Sequence, residues 1–203
     1  MAGKRRDKAK ARTAPTAPRR SGMKPWKMGM LGVLAIATAW GGWSWWRYSV
    51  GEGRFLALAA IGAGGLDAVE KHQDPGGGHL RPGQSAGYRD RMPTAGAHDP
   101  KWIDPGIYEK PQLPTRLVHS LEHGMIVIYY DRPPAEVMES LSAWAGLYGA
   151  PWSGLVVVPA PGLGDEVVLT AWQRVLKLQP FDPAAAAGFI DRYRGRGPEH
   201  PVR

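Results

Sequence analysis

Hydrophobic positions in this 203-residue chain follow four patterns, and each predicts a different kind of element. The first is an uncharged run over residues 28–46, "MGMLGVLAIATAWGGWSWW". At about 1.5 Å of rise per residue it reaches roughly 28 Å as a helix, close to the ~30 Å hydrocarbon core of a bilayer. It predicts one transmembrane helix over 28–47, ended by Arg47. The second pattern is a shorter apolar patch over 55–72, "FLALAAIGAGGLDAVEKH". Its charge-free core is too short to span. It predicts a helix that breaks near Gly64 and Gly65, lying on the membrane or forming a stalk over 48–73. The third pattern is a set of short β-branched runs: residues 125–130 ("MIVIYY"), 155–158, 167–172 and 175–178, all expected as strands. Between the first two, Val137, Leu141, Trp144 and Leu147 recur at helical spacing behind Pro134. Residues 182–195 read as a closing helix, with Asp182 as N-cap and Pro183 in its first position. The fourth pattern is a lack of periodicity. Residues 74–114 are dominated by Gly, Pro and polar side chains, with Tyr88, Trp102, Ile103, Ile107 and Tyr108 as packing anchors, and predict an ordered coil wrapped on the core.

The order β-α-β-β-α implies an α+β domain over 74–195. The expected form is a two-layer sandwich of a small antiparallel or mixed sheet with helices on one face, followed by a flexible C-terminus over 196–203.

Charge adds a topology. The formal net charge is +8, but residues 1–27 carry ten Lys or Arg and one acid, leaving the other 176 residues with sixteen basic and seventeen acidic side chains. The body is therefore close to neutral, and no nucleic-acid partner is expected. The tail reads as a disordered cytoplasmic segment, and the positive-inside rule places everything after Arg47 outside the membrane. Trp40, Trp43, Trp45 and Trp46 suit the membrane–water interface at the outer end of the span. The alternative is a cleaved signal peptide with "ATA" (37–39) as its site. The expected location is the cytoplasmic membrane, single-pass, with an extracytoplasmic C-terminal domain. The absence of cysteine excludes a disulfide framework, thiolate ligation and a Cys nucleophile.

The chemistry concentrates in "HSLEH", where His119, Glu122 and His123 stand at i, i+3 and i+4. One helical turn puts all three on one face, with neighbouring Cβ atoms about 5–6 Å apart. Two imidazoles so placed can share a metal ion. The third ligand must come from elsewhere: His98 is the first candidate, His79 in "GGGHL" the reserve, and Met92 a soft ligand if the metal is copper. Glu122 would be a fourth ligand or orient an imidazole. Without thiolates the set suits copper or zinc. Two other readings stand beside this one. In the first the same groups only pin the coil to the sheet, in a structural or assembly protein of the cell envelope. In the second "HxxEH" is the inverted zinc-peptidase pattern, with Glu122 as the catalytic base of a zinc-dependent hydrolase. The balance of these readings is towards a protein that is not an enzyme.

The segments "GGGHL", "YRDRMPTAGAHDP", "GIYEKP", "LVHSLEHGMIVIYYD", "PAPGL" and "VLTAW" occur in this order. In this the chain resembles the bacterial membrane-anchored domain-of-unknown-function family 3105, with its Val-His-Ser-Leu-Glu-His-Gly signature, over roughly residues 79–193. Members pair that signature with a Pro-Pro-Thr-Ser-Gly-Pro-His segment. Here the latter reads Met92-Pro93-Thr94-Ala95-Gly96-Ala97-His98, which departs at three positions and retains the histidine. The resemblance implies that His98, His119 and His123 belong to one shared site. It also implies a membrane-tethered domain and brings no established activity; metal handling or assistance to a membrane protein partner is the role that the histidine reading adds.

Overall fold

A strand buried on one face alternates apolar and polar residues, whereas one buried on both reads as a continuous apolar run. The run at 126–130 is continuous, and its strand lies inside the sheet with cover on either side. The structure is a computed structural model that describes the backbone from Pro25 and the side chains from Ile36, in each case through Arg203. The expected cytoplasmic tail therefore lies outside the described residues, apart from the first turns of a helix that begins at Pro25.

The chain divides into two units, 1–43 and 44–203. Helix α1, Pro25–Gly62, belongs to both. Among the described residues no helix is long and apolar enough to cross a membrane. The side chains of 28–35, the start of the expected span, lie outside the described residues. The backbone of the whole run, residues 28–46, is helical within α1.

The second unit continues from α1 through a 3-10 turn, Ala63–Ala68. Strand β1 is Glu70–Lys71 and strand β2 is Gly106–Ile107. Helix α2 is Pro114–Glu122, strand β3 Ile126–Tyr130 and helix α3 Ala135–Leu147. Strands β4, Leu155–Pro159, β5, Val167–Ala171, and β6, Arg174–Leu178, precede helix α4, Pro183–Tyr193. The strands form one mixed six-stranded sheet in the order β1-β6-β5-β3-β4-β2. β3 pairs parallel to β4, with Ile126 opposite Leu155, and antiparallel to β5, with Ile128 opposite Leu169.

Alternate residues of these strands enter two separate cores. Ile126, Ile128, Leu155, Val157, Leu169 and Leu176 pack with α3, α4 and the end of α1. Val127, Tyr129, Val156, Val158, Val168 and Val175 pack on the other face with Leu117 and Leu121 of α2 and Ile103 of the coil. The fold is α+β, as the pattern of runs implied, but the expected single helical face is corrected. Helix α2 and the coil form a layer of their own, because the residues of β3 and β4 that point away from α3 and α4 are as apolar as those that point towards them.

Two further expectations change. The patch at 55–72 is not an accessory surface: Phe55, 1% exposed, sits edge-on against Trp144 and Tyr148, with Ala59 beside it in the first core. At Gly62, where α1 gives way to the 3-10 turn, α4 comes too close for any side chain. A Cβ on Gly62 would lie 1.8 Å from the carbonyl oxygen of Ala184. The residues at 196–203, expected to be flexible, instead fold back on the body. Gly195 N–H donates to Gly124 O at 2.8 Å and Val202 N–H to Gly195 O at 2.8 Å, and Arg203 pairs with Asp191 at 2.8 Å.

Of the expected anchors of the coil, Ile103 is buried and Tyr88 and Tyr108 are half-buried, whereas Trp102 and Ile107 are exposed. Ser120 of α2 donates to Ile103 O at 2.9 Å and accepts from Ile103 N–H at 3.0 Å, which fixes the coil to the helix.

Candidate metal centre

Helix α2 has no side-chain cap, and Pro114 at its start removes one of the unpaired N–H groups of its first turn. Leu117 and Leu121 face the second core, and this turns His119 and Glu122 to the other side of the helix. His123 is the C-cap, and Gly124 follows with φ of 96°, reversing the chain into β3. The tight entry into a buried strand therefore fixes the position of the pentapeptide.

His98 arrives from the coil. It pairs with the segment of His79 through two backbone bonds, His98 N–H to Gly78 O at 2.9 Å and Leu80 N–H to His98 O at 2.7 Å. The result is a cluster: the ring centroids of His79, His98 and His119 are 4.9 to 5.1 Å apart, and those of His119 and His123 are 4.6 Å apart. His98, His119 and His123 are 1%, 3% and 2% exposed, whereas His79 lies at the surface.

Hydrogen bonding fixes two of the tautomers. His98 Nδ1 is 2.7 Å from Gly96 O and His119 Nδ1 is 2.7 Å from Asp99 O. A carbonyl oxygen can only accept, so each Nδ1 carries the proton and each Nε2 of the neutral ring is left with a lone pair. This is the arrangement that orients metal-binding imidazoles. Both lone pairs then face other acceptors. His98 Nε2 is 2.9 Å from Glu122 Oε2, yet makes no hydrogen bond. His119 Nε2 is 3.0 Å from His123 Nε2, which is itself 3.0 Å from Glu199 Oε2. A single proton on His123 Nε2 cannot serve both neighbours, and His123 Nδ1 is buried without a partner. The cluster thus holds more acceptors than protons, a deficit that a cation satisfies.

Burial pushes the pKa values of His119 and His123 below the ordinary imidazole range, and the neighbouring imidazoles act in the same direction. Neutral rings are the form in which histidine ligates a metal. Two groups could hold an ion, each with its donor atoms within 4.8 Å of one another: His79, His98 and His119, and His119, His123 and Glu199.

His98, His119, His123, Glu122 and His79, expected at one site, lie in one cluster, but His98 and His123 fall in different donor sets around His119, and Glu122 in neither. The structure does not bring in Met92, which packs against the second core. Glu122, which the hydrolase reading needs facing open water, lies against His98 with its side chain 21% exposed. Glu199 is the residue that the motifs missed. Its segment was read as a polar terminus, and the one local signal was an acid beside a histidine, "EH" at 199–200. Three tryptophans close the site. Trp152 stacks on His123 with centroids 4.0 Å apart, Trp102 lies 4.7 Å from the same ring, and Trp172 meets His98 edge-on at 6.3 Å.

A family model described as a protein of unknown function, DUF3105, matches residues 79–203. The chain belongs to this family. The match to DUF3105 begins at His79 and runs through Glu199, so every residue of the centre falls within it. It also extends past residue 193, where the motif resemblance ended, to include the C-terminal segment that carries Glu199. Comparisons with curated proteins and with solved structures give no match.

Proposed function

We propose that this DUF3105 domain binds a transition-metal ion, copper or zinc, through its histidines. One observation carries the reading: two buried imidazoles have their Nδ1 protons committed to backbone carbonyls and their Nε2 lone pairs turned inward, against carboxylate or imidazole acceptors that supply too few protons. His119 is the proposed central ligand, with His98 and His79 on one side of it and His123 and Glu199 on the other; Glu122 lies at the edge of the same cluster, against His98. Nitrogen-rich ligation without thiolate suits Cu(II) and Zn(II). The basic tail, the apolar run and the exposed Trp40, Trp43, Trp45 and Trp46 support a tether at the cytoplasmic membrane with the centre on the extracytoplasmic side. The role that fits is handling of metal for a membrane protein.

The test is metal analysis of the purified chain after loading with Cu(II) or Zn(II) and desalting, beside the His119→Ala/His123→Ala form. Retention of metal by the first, lost in the second, is the expected result. Near-zero copper and zinc in both rejects the reading.

A further inference from the structure

We propose that the centre offers two alternative seats to a single ion, with His119 as the fixed ligand common to both. This inference rests on the metal-binding reading above and specifies how the ion is held. The first seat is His79, His98 and His119, and the second is His119, His123 and Glu199. His119 belongs to both sets but has only one lone pair to give, because its Nδ1–H is committed to Asp99 O at 2.7 Å. One nitrogen lone pair ligates one ion, so the two seats cannot both be complete at once.

The seats differ in chemistry and in setting. The first is three imidazoles, with the Glu122 carboxylate against His98. The second exchanges two of those imidazoles for His123 and a carboxylate. Oxygen ligation favours a harder, divalent ion, while an all-imidazole set accommodates softer copper as well. Each seat has one surface ligand: His79 is exposed, on the loop that follows three positive-φ glycines, and Glu199 is 46% exposed, on the C-terminal segment. His119 lies buried between them. An ion can then cross by exchanging one flank for the other around a nitrogen that never lets go, which is the geometry of a hand-over site.

The second seat depends on how closely the C-terminal segment lies on α2. Gly195 N–H bonds to Gly124 O at 2.8 Å, and a Cβ at Gly197 would fall 2.1 Å from Glu122 O and 2.3 Å from Gly124 N. Only glycine permits that approach, and it brings Glu199 within 3.0 Å of His123.

The experiment titrates the chelator-stripped full chain with Cu(II), reading stoichiometry by metal analysis and ligand environment by electron paramagnetic resonance. It compares wild type with His79→Ala, Glu199→Gln and the double variant; both positions are at the surface, so the fold is not at issue. The expected wild-type stoichiometry is one ion per chain. Each single variant keeps one ion, and their spectra differ from each other, nitrogen-rich for Glu199→Gln and mixed nitrogen–oxygen for His79→Ala. The double variant binds more weakly by about tenfold or more. Two ions per chain in the wild type, loss of all binding in either single variant, identical spectra in the two, or a double variant as tight as wild type each overturns the two-seat proposal and leaves the metal-binding reading standing. A wild-type chain that takes no copper overturns the two-seat proposal, and one that takes neither copper nor zinc overturns both.

Discussion

At the scale of single residues, the centre is built from atoms that have nowhere else to send their lone pairs. The imidazole positions were legible in the sequence because "HSLEH" has helical spacing and because His98 ends a turn-rich coil that must be held down. Glu199 was not legible: nothing in a polar, Pro/Gly-flanked stretch states where its backbone returns. The neutrality of the buried rings has a consequence for stability. An unfolded imidazole takes up a proton near pH 6.5, whereas burial lowers that value for His119 and His123 in the folded chain. Between the two values the unfolded chain binds more protons, so these residues contribute fully above about pH 6.5 and progressively less as the pH falls below it. Urea denaturation of the chelator-treated protein at about pH 7.5 and about pH 5.5 should give the lower stability at the acid value. Ser120 is a second residue-scale test. Replacing it by Ala leaves the buried Ile103 N–H and carbonyl without their partner. The expected cost is about 1–3 kcal/mol, read from the same denaturation curves.

At the scale of elements, the strands and helices from 126 onward appear close to where periodicity put them, within a residue or two for β3, α3, β4 and α4. The two-residue strands β1 and β2 are too short to leave any periodic trace, and each is held by its neighbour's backbone. The patch at 55–72 was misread for a physical reason. A hydrophobic face records a need for burial and does not say whether lipid or protein supplies it. Phe55 settles the matter by inserting between α3 and its following turn, against Trp144 and Tyr148. Phe55→Ala is expected to destabilise the domain by about 3–5 kcal/mol in chemical denaturation, as a buried aromatic truncated in a packed core does. A value near zero would mean that the end of α1 is an appendage after all.

At the scale of the whole molecule, a near-neutral folded unit follows a strongly basic tail and an aromatic-ended apolar run. If the tether reading holds, the full chain sediments with membranes and resists extraction by high salt, whereas deletion of residues 1–47 releases the protein to the soluble fraction. A full chain that stays soluble would separate the centre from any membrane role. A ligand that binds only the folded state also raises its apparent stability with concentration. Micromolar Zn(II) should therefore raise the melting temperature of the wild type and leave that of His119→Ala unchanged.

The donors of the cluster span the chain from residue 79 to residue 199, and this sets a timetable for synthesis. A ribosome adds about 5–20 residues each second, so roughly 6–24 s separate the appearance of the earliest histidine from that of the glutamate. Until β4 and β5 emerge, late in that interval, β3 has no partner strand to pair with. The seat of His79, His98 and His119 is thus complete in the chain before the sheet that supports it, whereas the seat of His119, His123 and Glu199 waits for the last few residues to emerge.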